Sequence, residues 1–341
     1  MKRRRHERGI VLVMVLFFAL LLVSSLATFL HRATVDTMGV RSRDAAQRAE
    51  ALARGGVRLA IALLLEDRVL EGQLGFAAEG DQDVWAQVSG EEMELGDGAT
   101  LTLSIADAGT RLNLNALFDE EGPLKETEIF LKELLQKVVD EMPVRPEEKN
   151  YDVDALVQNL IDWVDSDDVR QRGGLEDEYY QGQTPAYRAP NLGHLLSVEE
   201  LRLVEGFDGQ LVDALAPYVG IHPVAGGEGI NPNTAETWVL ALLFHGGAGE
   251  KALASADDVA DLDDARGEGL LCGDGGPLEH CLPIREVTEI DPNTVFPAPT
   301  YQSDVFHVRA LAQIGAIRRQ LEVVVDRSDL LEPRLLAWQM R

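Results

Sequence analysis

The chain opens Met-Lys-Arg-Arg-Arg-His-Glu-Arg-Gly and passes directly into an uncharged, apolar stretch from Ile10 to Leu30. A helix rises about 1.5 Å per residue, so about 20 such residues span the hydrocarbon core of a bilayer. Lys2, Arg3, Arg4, Arg5 and Arg8 precede the stretch, which keeps the N-terminus on the cytoplasmic side and sends the rest across. A secretory signal carries a small-residue cleavage site after its apolar stretch. Here the conspicuous small residue is Gly9, in front of it. Cutting at Gly9 leaves the membrane helix on the mature protein; a plain signal anchor is the alternative.

Charge separates the anchor from everything beyond it. Residues 1–32 carry Lys2, Arg3, Arg4, Arg5, Arg8 and Arg32 against Glu7, a balance of +5, within a chain of net charge -27. The remainder therefore stands at -32. So acidic a body repels nucleic-acid phosphates and suits divalent cations or a basic partner. Cys272 and Cys281 can close one short disulfide loop in an oxidising compartment. A zinc site built on them lacks further ligands apart from the adjacent His280.

No proline occurs from Arg32 to about Leu70, and Ala45, Ala49, Leu52, Ala53, Gly56, Ala60, Leu63 and Leu64 recur at spacings of three and four. That is one stripe on a helix, so the membrane helix is expected to continue as a single rod to about Leu70. The small residues of the stripe would admit close packing by another element. Glycines then break up 71–98. Thr100-Leu-Thr-Leu-Ser-Ile-Ala alternates as a strand, with Glu92-Met-Glu-Leu as a hairpin partner. From about Asn113 to Leu282 the pattern is helical. Leu131, Leu134, Leu135, Val138 and Val139 mark one helix, and Leu156, Leu160, Ile161 and Val164 another. Ser197-Val-Glu-Glu reads as a capping-box start, followed by helix, glycine turn and helix through Leu215. Ala235 to Phe244 is expected to be a further helix. Leu112-Asn-Leu-Asn-Ala and Ile230-Asn-Pro-Asn-Thr form a faint internal repeat. Alternation returns at Phe306, Val308, Ala310 and Ala312, and again over Arg319 to Asp326, with a turn at Gly315. Strands at both ends of a helical block imply one antiparallel sheet on the N-terminal helix with a helical domain inserted between its strands.

The leader resembles that of type IV pilins and pseudopilins, which a prepilin peptidase cuts after glycine; applied here, cleavage lies between Gly9 and Ile10, and Ile10 would be N-methylated. Four further segments lie in order along the chain: Gly109-Thr-Arg-Leu-Asn-Leu-Asn-Ala-Leu; Leu160-Ile-Asp-Trp-Val-Asp-Ser-Asp-Asp with Gly173-Gly-Leu-Glu-Asp-Glu-Tyr-Tyr; Leu196-Ser-Val-Glu-Glu-Leu-Arg-Leu-Val-Glu-Gly; and Ser303-Asp-Val-Phe-His-Val-Arg-Ala. Together they resemble the K-type minor pseudopilins of the type II secretion system. The resemblance implies an α+β, pilin-like fold: a long N-terminal helix on a small antiparallel sheet, with a large helical insertion. It divides the chain into a leader (1–9), a transmembrane part (10–32) and a periplasmic part (33–70) of the helix, a first sheet segment (71–110), two helical units of sterile-alpha-motif type (111–285) and C-terminal strands (286–341). It implies a single-pass inner-membrane protein at the tip of a periplasmic pseudopilus, with the I-, J- and H-type minor pseudopilins, the major pseudopilin, the prepilin peptidase and secreted cargo as partners. One departure is Asp107-Ala108, where the family often has an acidic pair.

The fifth residue after the cut is Met14, where most pilins carry glutamate. A carboxylate in hydrocarbon is costly without a partner; in the filament that partner is the N-terminal amine of the subunit ahead, and a tip subunit has none. Assembly is expected to use Met14 and the stripe Ala49, Leu52, Gly56 and Ala60. Acids crowd the middle of the chain: Asp162, Asp165, Asp167, Asp168, Glu176 and Asp177. Asp165, Asp167 and Glu176 match places one, three and twelve of an EF-hand loop, but Arg170 replaces its sixth-place glycine. Calcium suits such an oxygen-rich set, and the resemblance implies it; a solvated loop neutralised by Arg170 and Arg172 is the competing account. No metalloprotease, phosphate-loop or nucleophile-elbow motif is present, so an enzyme is not expected. Two binding roles compete with assembly, a membrane-anchored cargo receptor and a DNA-uptake protein of helix-hairpin-helix type. The acids Glu199, Glu200, Glu205 and Asp208 around Gly206 oppose the second.

Overall fold

The computed structural model describes residues 5–341 except 75–77, 120, 146–148, 168, 172, 222–228, 248 and 275–279. One helix, α1, runs unbroken over Arg5–Leu74. From Val11 to Leu30 every residue is exposed, and this part is long and apolar enough to cross a membrane. The second half has one buried face. Ala49, Ala53, Val57, Ala60 and Leu64 lie against a five-stranded antiparallel sheet. Its strands are β1 (Glu92–Glu94), β2 (Ala99–Asp107), β3 (Val305–Ile314), β4 (Ile317–Asp326) and β5 (Arg334–Met340), in the order β1-β2-β3-β4-β5. The expected hairpin pairs Glu92 with Thr102, and Phe306 pairs with Asp107. Leu103, Ile105, Phe306, Val308, Val323 and Val325 form the sheet's half of the core.

This packing overturns the expected role of the small-residue stripe. A Cβ on Gly56 would stand 2.8 Å from Leu101 Cδ1 and 3.2 Å from Ala310 Cβ. Ala49, Gly56 and Ala60 are small because α1 lies close on its own sheet, and Leu52 sits half-buried at the margin of that contact. The stripe is consumed inside the chain and is not free for a partner. A bulky residue at Gly56 would therefore separate helix from sheet.

The block between β2 and β3 has its own apolar core. In it α2 (Thr127–Glu141) packs Phe130, Leu134 and Val138, and α3 (Val153–Val164) packs Leu156, Leu160 and Trp163. Asp152 caps α3 by accepting from the Ala155 amide at 3.0 Å. The remainder is less helical than its sequence suggests. Ser197 makes no cap; Glu200 instead accepts from Trp163 Nε1 and the Leu196 amide, and Val198–Leu203 is a 3-10 helix. A glycine turn at Gly206 follows, with φ +88, then α4 (Gly209–Leu215). Between Ala235 and Phe244 only Thr237–Leu240 is α-helical, and Phe244–His245 is a short strand paired with Ala252–Leu253. The capping box lies at Ser255 and Asp258, at the start of α5 (Ala256–Glu268).

The internal repeat is real at the level of hydrogen bonds. Asn113 Oδ1 accepts from the Asn115 amide, and Asn231 Oδ1 from the Asn233 amide, both at 3.1 Å. The second asparagine of each pair then clamps a distant backbone amide on both sides. Asn115 exchanges two hydrogen bonds with Leu195, and Asn233 exchanges two with Leu271. Asp107, at the root of the insertion, ties the copies together. It accepts from the Gly109 amide, Asn231 Nδ2 and Thr234 Oγ1. Asp107 is thus a buried carboxylate with four hydrogen-bond partners, Ser303 being the fourth. Cys272 and Cys281 form the expected disulfide, with Cα atoms 5.8 Å apart.

Candidate functional site

Two groups of three acids, among the described residues, bring carboxylate oxygens within 4.8 Å of one another. The first joins the end of α1 to the sheet. Asp67 and Glu71 lie in the last two turns of α1, and Glu79 follows it. A buried guanidinium fills their centre. Arg327, just beyond β4, is 0% exposed; Nη1 donates to Asp67 Oδ2 at 3.1 Å and to the Leu64 carbonyl at 2.7 Å. Nη2 donates to Glu79, Nε to the Ser303 carbonyl, and the group lies 4.5 Å from the centroid of Phe306. Burial pushes the Glu79 carboxyl upward and Arg327 pulls it back. Glu71 accepts from Gln302 and lies 4.0 Å from Arg68. The counter-charge of this group is built into the chain.

The second group is Asp162, Asp165 and Glu176, three of the six acids singled out in the sequence. Asp162 lies in the last turn of α3 and Asp165 caps its C-terminus; Glu176 returns after a loop closed by a bridge between Val169 and Leu175. The turn needs Gly173 and Gly174, at φ +83 and +104, a region that glycine occupies without strain. All three carboxylates are buried, at 3%, 6% and 3% exposure. Asp162 accepts from the Gln171 amide through one oxygen. Asp165 Oδ1 and Glu176 Oε1 are buried with no hydrogen-bond partner, and so is Asn191 Oδ1 beside them. Asn191, which the sequence reading missed, stands at φ +47 and donates Nδ2 to Glu176 Oε2 and to the Asp167 carbonyl. Its signal was the Asn-Leu-Gly at 191–193, a left-handed turn candidate that carried no charge and so drew no attention.

The electrostatics follow from burial without a cation. Burial raises the Asp162 carboxyl; burial, then Asp167 and Asp162, push Asp165 to about 6. Burial and the neighbouring acids push Glu176 to about 7, against the Asn191 hydrogen bond. Of the two arginines in the solvated-loop account, Arg170 lowers the Asp162 carboxyl through its charge but makes its hydrogen bonds elsewhere. Its Nη2 bonds Glu205 and Asn159. Asp167 is spent locally, accepting from the Val169 amide. Asp177 turns away to the Ala189 amide, Arg188 and Gln181, and so leaves the expected ligand set. Asp168 lies outside the described residues, as does Arg172. What remains is a pocket of hard oxygen donors, several unsatisfied, and a buried carboxylate or amide oxygen left unsatisfied is costly. The donor set fits calcium, which takes six to eight oxygens in flexible geometry.

The leader junction lies within α1, since Gly9 and Ile10 are helical, and Met14 is 55% exposed on its apolar half.

The sequence profile of the type II secretion system protein K family matches residues 110–224. The chain is 32% identical over 248 residues to type II secretion system protein K of Pectobacterium carotovorum subsp. carotovorum, covering 70% of each chain. It is 34% identical over 219 residues to the Klebsiella pneumoniae protein of the same name, covering 63% of this chain and 62% of that one. Its fold is similar to a chain in the crystal structure of the GspK-GspI-GspJ complex from enterotoxigenic Escherichia coli, with a TM-score of 0.62 and 19% identity over 89% of this chain and 99% of that one.

Proposed function

The chain belongs to the type II secretion system protein K family, and from that premise we propose that it is a minor pseudopilin at the tip of the periplasmic pseudopilus, where it initiates or caps assembly and assists export of folded proteins. The carrying observation is the division of α1. Its first half is apolar and exposed on all sides, while its second half is sealed against the sheet. Exposed apolar helix surface of this extent demands lipid before assembly and neighbouring helices after it.

The position of the insertion supports the tip. It leaves the sheet at Asp107 and rejoins at Val305, and Phe306 beside that junction stacks on Arg327, which bonds Leu64 and Asp67 of α1. The helical block therefore hangs from the end of α1 far from the membrane, about 50 Å beyond residue 32 at the rise of a helix. A block there obstructs any subunit stacked ahead. Met14 agrees, since with no subunit ahead there is no amine to pair with a carboxylate at that position. The leader is removed between Gly9 and Ile10 by a prepilin peptidase, the N-terminus faces the cytoplasm and the domain beyond residue 32 faces the periplasm. Other minor pseudopilins bind it, as GspI and GspJ accompany GspK in the similar complex. Calcium occupies the pocket of Asp162, Asp165, Glu176 and Asn191, and makes a rigid unit of the loop that closes it.

Mass spectrometry of the membrane-extracted protein tests the processing step. A mature chain beginning at Ile10 is expected, and Gly9→Val should leave the full-length form. Normal processing of Gly9→Val would remove the leader from the argument. Co-purification with I- and J-type minor pseudopilins tests the assembly role; failure of the intact, processed chain to retain either would overturn it.

A further inference from the structure

The sheet ends differently on its two sides. β1 is only three residues long, whereas β5 has seven, and among the described residues no strand pairs with its outer edge. Gln320 and Arg341 exchange both backbone hydrogen bonds. In an antiparallel ladder the bonded pairs alternate, so Glu322 with Gln339 bond likewise, and the amide and carbonyl of Trp338 and Met340 point to the open edge. Such an edge is ordinarily blunted by charged residues, proline, a bulge or a covering segment; the bulge between Val324 and Val325 and Pro333 lie only towards its start. Here the strand reads Arg-Leu-Leu-Ala-Trp-Gln-Met, with Leu335 52% and Trp338 63% exposed, and Leu331 before it 91% exposed.

A groove of about 300 Å³ runs beside that edge, between β5 and α1, lined by Arg54, Val57, Arg58, Ile61, Leu335 and Trp338. Two positive side chains stand in a body that is otherwise strongly acidic. Arg54 pairs with Glu50 at 2.9 Å and lies 6.0 Å from the Trp338 ring centroid. Arg58, one turn on and exposed, has no ion pair among the described residues. The open backbone groups call for a strand, and the groove says which side chains it carries.

We propose that β5 accepts an extended segment of another protein as a sixth strand, its inward side chains placing an acid at Arg58 between apolar residues that cover Leu335 and Trp338. Main-chain bonds to Trp338 and Met340 supply affinity and the groove supplies selection, as in other strand additions. The surface is separate from the calcium pocket and from the membrane half of α1, so it operates whether or not the chain assembles into a pseudopilus.

The test uses the full chain in detergent micelles and two fluorescein-labelled heptapeptides, Ser-Val-Thr-Glu-Thr-Val-Ser and the same peptide with lysine at its centre, read by anisotropy. The net charge of -27 disfavours an acidic peptide over the chain as a whole. The glutamate peptide should nevertheless bind at least about tenfold more tightly, a difference of about 1.4 kcal/mol. Arg58→Glu, on the exposed face of α1, should invert the order. Trp338→Pro, which removes an outward amide, should weaken the glutamate peptide by a similar factor. Should Trp338→Pro unfold the sheet by circular dichroism, Arg58→Glu alone decides. Equal binding of the two peptides, or binding indifferent to Arg58→Glu, overturns the proposal. It is also overturned if sedimentation shows the wild type self-associating through this edge and Trp338→Pro abolishing that, because the occupant is then a second copy.

Discussion

Two buried triads of acids, one at the root of the helical insertion and one inside it, solve the same electrostatic problem in opposite ways. Asp67, Glu71 and Glu79 gather around Arg327, whose guanidinium spends its donors on two carboxylates and two carbonyls. Asp162, Asp165 and Glu176 have no such centre among the described residues; the nearby Arg170 reaches instead to Glu205. The first group has its counter-charge when the chain folds, although Glu71 Oε1 is also buried without a hydrogen-bond partner, and it acts as a rivet between α1, the sheet and the returning chain at Ser303. The second leaves oxygens on Asp165, Glu176 and Asn191 without partners. Similar clusters of acids thus differ in what they hold: one surrounds a guanidinium of its own chain, and the other, among the described residues, surrounds none.

The largest expected effect comes from removing the internal counter-charge. Arg327→Met leaves Asp67 and Glu79 buried and uncompensated, a class of change that costs about 3–5 kcal/mol. Denaturant unfolding should show the loss with or without calcium; an unchanged midpoint would mean the first triad is not held by Arg327. Next is removal of the external one. Calcium at a hundred times its dissociation constant adds about 2.7 kcal/mol to stability, so chelation should lower the melting temperature, and calcium should restore it better than magnesium. Identical melting curves in chelator and in millimolar calcium would refute the contrast between the triads.

A smaller effect separates ligands from bystanders. Asp165→Asn with Glu176→Gln should abolish the calcium response, yet in chelator leave stability within about 1 kcal/mol of the parent, since it removes mutual repulsion. Asp177→Asn should keep the full response; if it does not, the ligand set drawn here is wrong. The smallest effect is on pH dependence. Asp165 near 6 and Glu176 near 7 lie above their ordinary values of 3.8 and 4.5. Without calcium the native state therefore holds protons that the unfolded chain has released. Their stabilising contribution is full below about pH 4 and is lost as pH rises through 6 and 7. Melting in chelator should fall across that window, and saturating calcium should flatten the fall. Any slope that persists in calcium comes from the other shifted groups, among them Glu71, Glu79, Asp83 and Asp107, which burial raises.

Much of the fold was legible. The uncharged run from Ile10 to Leu30, the three-and-four spacing of the stripe and the alternation over 100–106 and 306–312 are local periodicities, and each gave the element it implied. So did the Asn-x-Asn repeat, whose clamp recurs, on Leu195 in one copy and on Leu271 in the other. The errors arose where local pattern met tertiary competition. Ser197 looked like a cap until Trp163 and Leu196 claimed Glu200. The strand Arg334–Met340 escaped notice because its apolar run of Leu335, Leu336 and Ala337 does not alternate, the edge position leaving both faces open. In the second triad the acids were visible, but nothing in their spacing separated Asp177 from Glu176 or pointed to Asn191, fifteen positions further on.

By itself the sequence determined the apolar run, the rod, the strands on either side of the helical block and the acidity of everything beyond residue 32, because these depend on composition and on periods of two and 3.6 residues. Only the tertiary structure decided what the small residues of α1 are for. A stripe of Ala49, Gly56 and Ala60 permits close approach by any partner, and spacing carries no information about which one comes. The fold placed Leu101 and Ala310 there first. The same holds for charge. Arg327 lies 260 positions from Asp67, and no local pattern encodes a pairing across that distance; it exists because the sheet closes over the end of the helix and buries both.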